Sequence, residues 1–332
     1  MSGHPYVKIA GWGKYLPPRI MTNNELEALV ETSDEWIKSR TGIAQRRIAG
    51  ENESTGTMAV AAAREALCVA DMDAAELDLV LVATATPDHL GFPATASLVQ
   101  EALGAKRAGA FDLNAGCTGF VYGLVTGSQF ILSGAYRRVL VVGSDAMSRI
   151  VDWKDRTTCV LFGDGAGAVV LEATETPGGL RSFVLGSDGA GAKHLIVPDG
   201  GSRHPMSHEV LEARGNYLRM NGREVFRFAT TKMTEALNQT ISQAHLCTND
   251  IRLMIPHQAN IRIVDAARGK LAVADGVMFT NVDRYGNTSS ASIPVALTEA
   301  MTDHQLETGD HLAMVAFGAG LCWGAAVWEW NR

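Results

Sequence analysis

The chain has 332 residues, room for one large domain or two of ordinary size, and its 46% hydrophobic and 20% charged content is that of a globular protein with a sizeable core. A formal net charge of -7 argues against nucleic acid as a general partner. Five cysteines, an odd number without a CxxC pair, argue against a disulfide framework or a zinc site; with no apolar run of membrane-spanning length and no basic-then-apolar leader, the expected location is the cytoplasm.

In chain order, residues 57–70 (TMAVAAAREALCVA) are strong helix formers. Residues 77–87 (LDLVLVATATP) form a continuous apolar run, as a strand buried on both faces requires. A helix is expected over 94–103, a short strand over 108–114, a helix from Cys117 to about Ser133 and a buried strand over 137–145. The stretch TCVLFGDGAGAVVLEA (158–173) reads as a strand or hairpin interrupted by glycines. The second half gives the same series: helix 229–244, strand 251–256, helix 260–271, strand 276–282, helix 289–301, and strands 311–320 and 321–330. Corresponding segments are offset by roughly 170 residues, as an internal duplication produces. Alternating β and α elements predict mostly parallel sheets covered by helices, and hence two similar α/β halves, 1–173 and 174–332. The polar, broken stretch Asp199–Asn216 reads as a surface excursion.

In open parallel sheets, ligands collect beyond the carboxyl ends of strands. Three polar groups fall there: Cys117 in NAGCTGF, His257 in PHQAN and Asn287 in DRYGNTSS. Cys117 and Asn287 occupy equivalent places in the two halves, so pseudo-symmetry brings them face to face. Most buried cysteines are inert small hydrophobes. This one sits between Gly116 and Gly119 at a strand-to-helix junction, where a helix N-terminus lowers a thiol pKa from its ordinary value of about 8.5. Alone, His257 reads as a structural histidine and Asn287 as a turn or cap residue. Together the three supply a nucleophile and two uncharged hydrogen-bond donors. That set suits decarboxylative condensation: loss of carbon dioxide generates the carbanion without a strong base, and two donors stabilise the enolate oxygen.

The motifs TSDEWIKSRTGI, NAGCTGF, FGDGAGAVVL, PHQANIRI, DRYGNTSSASIP and FGAGLCWG occur in this order over nearly the whole chain. With them the sequence resembles the β-ketoacyl-acyl-carrier-protein synthase III family of the thiolase superfamily. The resemblance implies a thiolase-like five-layered αβαβα fold built from the two pseudo-duplicated halves, in a homodimer. It implies decarboxylative Claisen condensation of an acyl-CoA primer with malonyl-acyl-carrier protein, without metal or cofactor beyond the coenzyme A and phosphopantetheine thioesters. Cys117 would be the acylated nucleophile, His257 and Asn287 the enolate-stabilising donors, and the backbone N–H groups of Cys117 and Ala319 the oxyanion hole. Trp36, Arg40 and Arg156 match residues that grip the adenine and phosphates of coenzyme A. Arg262 matches a basic residue implicated in docking the carrier protein, and Phe92 a side chain that closes the acyl pocket of the partner subunit. The chain departs from the pattern at Gly116 and Thr118, where alanine or serine is more frequent, and at Cys322, often a threonine.

Two other functions share these residues. One passes the acyl group from Cys117 to an alcohol or amine without decarboxylation, with His257 as general base. The other is a catalytically dead dimer partner, against which the intact set argues. FGDGAGAV is set aside as a nucleotide loop, because a β-rich run follows it and it lacks a GKS or GKT ending. His194, His204 and His208 read as a solvated excursion rather than a metal site.

Overall fold

A computed structural model describes residues 6–303 and 306–332. Its first sheet holds β1 (Tyr6–Tyr15), β2 (Leu79–Ala83), β3 (Gly109–Leu113), β4 (Arg138–Asp145) and β5 (Gly165–Thr174), in the order β1-β5-β4-β2-β3. The second holds β6 (Gly179–Ser187), β7 (Ile251–Pro256), β8 (His311–Gly318) and β9 (Cys322–Glu329), in the order β7-β8-β9-β6. In both, the strands at one end run parallel and those at the other antiparallel. Beyond β7, Met254 makes a parallel bridge to Met278, at the place β3 takes in the first sheet. The strand expected over 276–282 is therefore reduced to that bridge. Gly276 takes a left-handed φ of 83°, and the Asn281 N–H goes to the Gln258 side chain instead of a ladder.

The helices of eight residues or more are α1 (Asp34–Thr41), α2 (Thr55–Ala70), α3 (Thr95–Leu103), α4 (Gly119–Leu132), α5 (Gly222–Gln243), α6 (Ile261–Leu271) and α7 (Ser292–Asp303). Period-two alternation along the strands sorts apolar side chains to two faces, both buried. Val80, Val82, Leu140 and Val142 pack outward against α2 and α3, whose buried face is small (Ala59, Ala62, Ala63, Ala66). Leu81, Val141 and Val169 pack inward, against α4 and α7 and the facing Leu253, Ile255 and Met314 of the second sheet. Met254, Val315 and Val327 face α5 and α6. The result is five layers, αβαβα. Phe120, Leu124 and Ile131 of α4 are fully buried, each stabilising by about 1.5–3 kcal/mol.

Two further boundaries differ from the sequence reading. The helix expected from Cys117 opens with a 3₁₀ turn, Gly116–Thr118, before α4 proper. The strand or hairpin expected over 158–173 is a single strand that starts only at Gly165; before it the Asp164 carboxyl turns inward to accept from Ala49 N, Ser148 N and Ser148 Oγ.

Candidate active site

The ends of β3, β7 and β8 and the Met278 bridge lead into one cluster of loops. Cys117 follows β3, His257 follows β7, Ala319 follows β8 and Asn287 follows the bridge segment. Cys117, His257 and Asn287 line a single cavity of about 140 Å³, with Phe317, Phe226 and Asn260 on its walls. A larger cavity of about 400 Å³ meets it at Cys117 and is lined by Ala85, Met147, Ile150, Leu195, Leu218 and Cys322, among others.

Backbone contact seats the nucleophile. Gly116 has φ 52°, and a Cβ there would lie 3.2 Å from Ala319 N. A Cβ on Gly318 would lie 2.8 Å from Cys117 N, so only glycines let the turn and the end of β8 come together. The thiol itself is not the expected thiolate. Burial pushes Cys117 up to about 12; the Ser289 side chain pulls it partly back, and the Asp145 carboxyl adds a smaller upward push. A helix terminus is worth at most about 1–2 kcal/mol, too little to offset removal from water.

His257 is 1% exposed, and burial lowers its pKa to about 3. The ring is neutral at working pH. Its Nδ1 lies 2.6 Å from Ser292 Oγ, which also accepts from Gln258 N. Among the described residues the hydroxyl hydrogen has no other acceptor, so it goes to Nδ1, which assigns the ring hydrogen to Nε2. Nε2 is buried without a protein partner, and Phe317 packs edge-on against the ring with centroids 5.3 Å apart. Asn287 is fixed in the same way. Its Oδ1 accepts from Ser289 N at 2.9 Å, which leaves the Nδ2 hydrogens for the cavity. Asp145, wholly buried, joins the two sides. Its Oδ1 accepts from Thr84 Oγ1, Ala85 N, Thr86 N and Thr86 Oγ1, and its Oδ2 from Ser290 N and Ser290 Oγ. Ser289, Ser292, Gln258 and Asp145 were not singled out from sequence. The two serines lie inside DRYGNTSSASIP, and Asp145 ends an apolar strand, which were the available signals.

The family profile for 3-oxoacyl-(acyl-carrier-protein) synthase III matches residues 111–189, and that for its C-terminal region residues 241–330. A β-ketoacyl-(acyl-carrier-protein) synthase III of Symbiobacterium thermophilum is 51% identical over 326 residues, 98% of each chain. One of Roseiflexus castenholzii is 50% identical over the same length, again 98% of each. The chain belongs to the β-ketoacyl-acyl-carrier-protein synthase III family. Among solved structures, the Aquifex aeolicus synthase III superposes with a TM-score of 0.90 at 44% identity, over 98% of this chain and 100% of that one. The priming β-ketosynthase of the R1128 polyketide pathway gives 0.91 at 35%, over 100% and 98%.

As a member of this family the protein is an acyltransferase of the condensing type, joining an acyl primer to a malonyl thioester with loss of carbon dioxide to initiate fatty acid synthesis. The remaining residues of the family pattern lie around the small cavity's mouth and beyond it. Arg262 stacks over Phe226, 5.6 Å from its centroid, and Arg40 O accepts from Asn260 Nδ2. Arg156 lies 5.1 Å from the centroid of the Trp36 ring and donates to Glu31 O. Phe92 is 88% exposed and lines neither cavity of its own chain. Among the described residues, no group of three or more His, Cys, Asp or Glu side chains is arranged to hold a metal, and no helix is long and apolar enough to cross a membrane.

Proposed function

We propose that Cys117 takes the acyl group of an acyl-CoA and passes it to the enolate of malonyl-acyl-carrier protein. One observation carries this reading: the unpartnered His257 Nε2 and the Asn287 carboxamide share a cavity with the sulfur, and neither group is charged. In the first half-reaction the Cys117 sulfur bonds to the thioester carbon, the bond to the coenzyme sulfur breaks, and the thiol proton ends on coenzyme A. In the second, the malonyl thioester loses carbon dioxide. His257 Nε2–H and Asn287 Nδ2–H stabilise the enolate oxygen, and the enolate carbon attacks the acyl-cysteine. The N–H groups of Cys117 and Ala319 receive the tetrahedral oxyanion; the bond to Cys117 then breaks and its sulfur takes a proton. The cavity needs no cofactor or metal for these steps.

Burial lowers the His257 pKa to about 3 and so makes the ring a weak proton acceptor, which weighs against transfer to an alcohol or amine with His257 as base. Trp36, Arg156 and Arg40 would hold coenzyme A, and Arg262 the acidic carrier protein. Exposed Phe111 lies on the free edge strand β3, and exposed Leu90, Phe92 and Leu98 lie in the loop and helix that lead into it, which supports a homodimer across that edge. There Phe92 of the partner subunit would close the larger cavity, which would hold the acyl chain. A cytoplasmic location accords with both thioester substrates. Intact-protein mass after exposure to acetyl-CoA tests the nucleophile: one acetyl group is expected on the wild type and none on Cys117→Ser. Acylation surviving in Cys117→Ser, or no lengthened product with malonyl-carrier protein, overturns the reading.

A further inference from the structure

The larger cavity has one wall contributed by the excursion and its flanks rather than by either large sheet, with Leu195 and Leu218 buried in the core and Ile196 and Val197 exposed. Leu195, Ile196, Val197 and Leu218 line it, opposite Met147 and Ile150. These four flank the excursion, whose feet are the short pairing of Leu195–Ile196 with Arg219–Met220, extended by Asn221 N to His194 O and Asp199 N to Gly215 O. Between the feet, residues 201–209 are all exposed, so no apolar packing fixes them.

Beyond the packing of Leu195 and Leu218, charge ties this wall to the body. Arg214 grips the buried Asp152 carboxyl with both ends of its fork, Nε to Oδ2 at 2.8 Å and Nη2 to Oδ1. Arg219 Nη1 reaches the same Oδ2 at 3.4 Å, and its Nη2 donates to Arg214 O. Lys154 N also donates to Asp152. Among the described residues, the Arg214–Asp152 pair is the only side-chain hydrogen bond donated from 197–218 to a residue outside that stretch. Next to it, Leu218 N donates to Ile150 O at 2.8 Å, directly behind the cavity wall. Arg214 has φ 56°, a left-handed backbone that a long side chain adopts only when its surroundings compel it. The Arg214 bond also holds the Asp152 carboxyl at about 2, so the grip stays charged throughout the working pH range.

We propose that Asp152, Arg214 and Arg219 form a clip that holds this wall of the acyl cavity shut and so limits the length of primer the site accepts, an inference that rests on the larger cavity being the acyl chamber. Releasing the clip lets Leu195 and Leu218 withdraw. Long acyl chains then gain room, while an acetyl group, which reaches little beyond Cys117, is affected least.

The test compares kcat/KM for acetyl-CoA and octanoyl-CoA, with malonyl-carrier protein as extender, in the wild type, Asp152→Asn, Arg214→Gln and the double variant. Each single variant is expected to raise the octanoyl-to-acetyl ratio tenfold or more, the scale of a one-methylene fit in an apolar pocket. The double variant is expected to add little, because both changes open the same contact. Arg214→Lys, which keeps the charge and loses the fork, gives a smaller rise and serves in place of Asp152→Asn if that variant fails to fold. A ratio unchanged in folded variants, or equal loss with both primers, overturns the clip. A wild type that condenses neither primer overturns the acyl-chamber reading itself, and the clip with it.

Discussion

Burial of a neutral His257 makes a prediction about stability as well as chemistry. In the unfolded chain this imidazole titrates near 6.5, whereas in the folded protein it stays neutral down to about pH 3. Below pH 6.5 the unfolded state therefore binds a proton that the folded state refuses. Stability attributable to this residue is fully present above 6.5 and falls with decreasing pH, by about 1.4 kcal/mol per unit, until the folded pKa is reached. Between pH 6.5 and 4.5 the loss comes to about 2.3 kcal/mol, because at 6.5 the unfolded ring is already half protonated. Urea unfolding at fixed protein concentration, repeated across that range for wild type and His257→Gln, isolates the contribution as a difference in slope. Glutamine does not titrate, so the variant is expected to fall less steeply by that amount. Parallel curves would refute the argument, as would an inflection near pH 6.5 in kcat/KM that disappears with the histidine, because a ring ionising there is not the neutral donor described.

Gly116→Ala forces a Cβ to within 3.2 Å of Ala319 N at φ 52°; it is expected to cost about 1–2 kcal/mol in denaturant unfolding and to slow acylation in a stopped-flow burst. Asn287→Ala is expected to lower carbon dioxide release from malonyl-carrier protein a hundredfold to a thousandfold, the usual effect of losing one oxyanion donor, while intact mass still shows acetylated Cys117. Trp36→Ala removes the face beneath Arg156, and steady-state kinetics are expected to show a severalfold higher KM for acyl-CoA, at nearly constant kcat and unchanged KM for malonyl-carrier protein.

Much of the fold was legible because strands covered by helices on both faces must be apolar without interruption, as LVLVA and RVLVVGSD are. β1 and β6 escaped notice. Each stands at a sheet edge and mixes polar residues and glycines among its apolar ones, lysine in β1 and arginine and serine in β6, so neither reads as a buried run. The bridge at Met278 misled for the opposite reason: VMF is apolar enough for a strand, but its ladder is cut short by Gly276 and by the Gln258 side chain. The three reactive side chains were legible from their places after strands. Their protonation was not. Whether a helix terminus or burial governs Cys117 depends on the walls brought in by Phe162, Ser289 and the end of β8, which are distant in sequence. The Ser292 hydroxyl that sets the imidazole hydrogen is likewise a contact across 35 positions.

Asp145 has a mechanical consequence. One oxygen is occupied by donors from the loop behind β2, the other by donors from the loop bearing Asn287. No lone pair is left to trade, so sliding one sheet past the other strands several buried donors at once. The base of the reaction chamber is in effect a single stiff plate, and any retuning for differently shaped substrates has to come from its flanks.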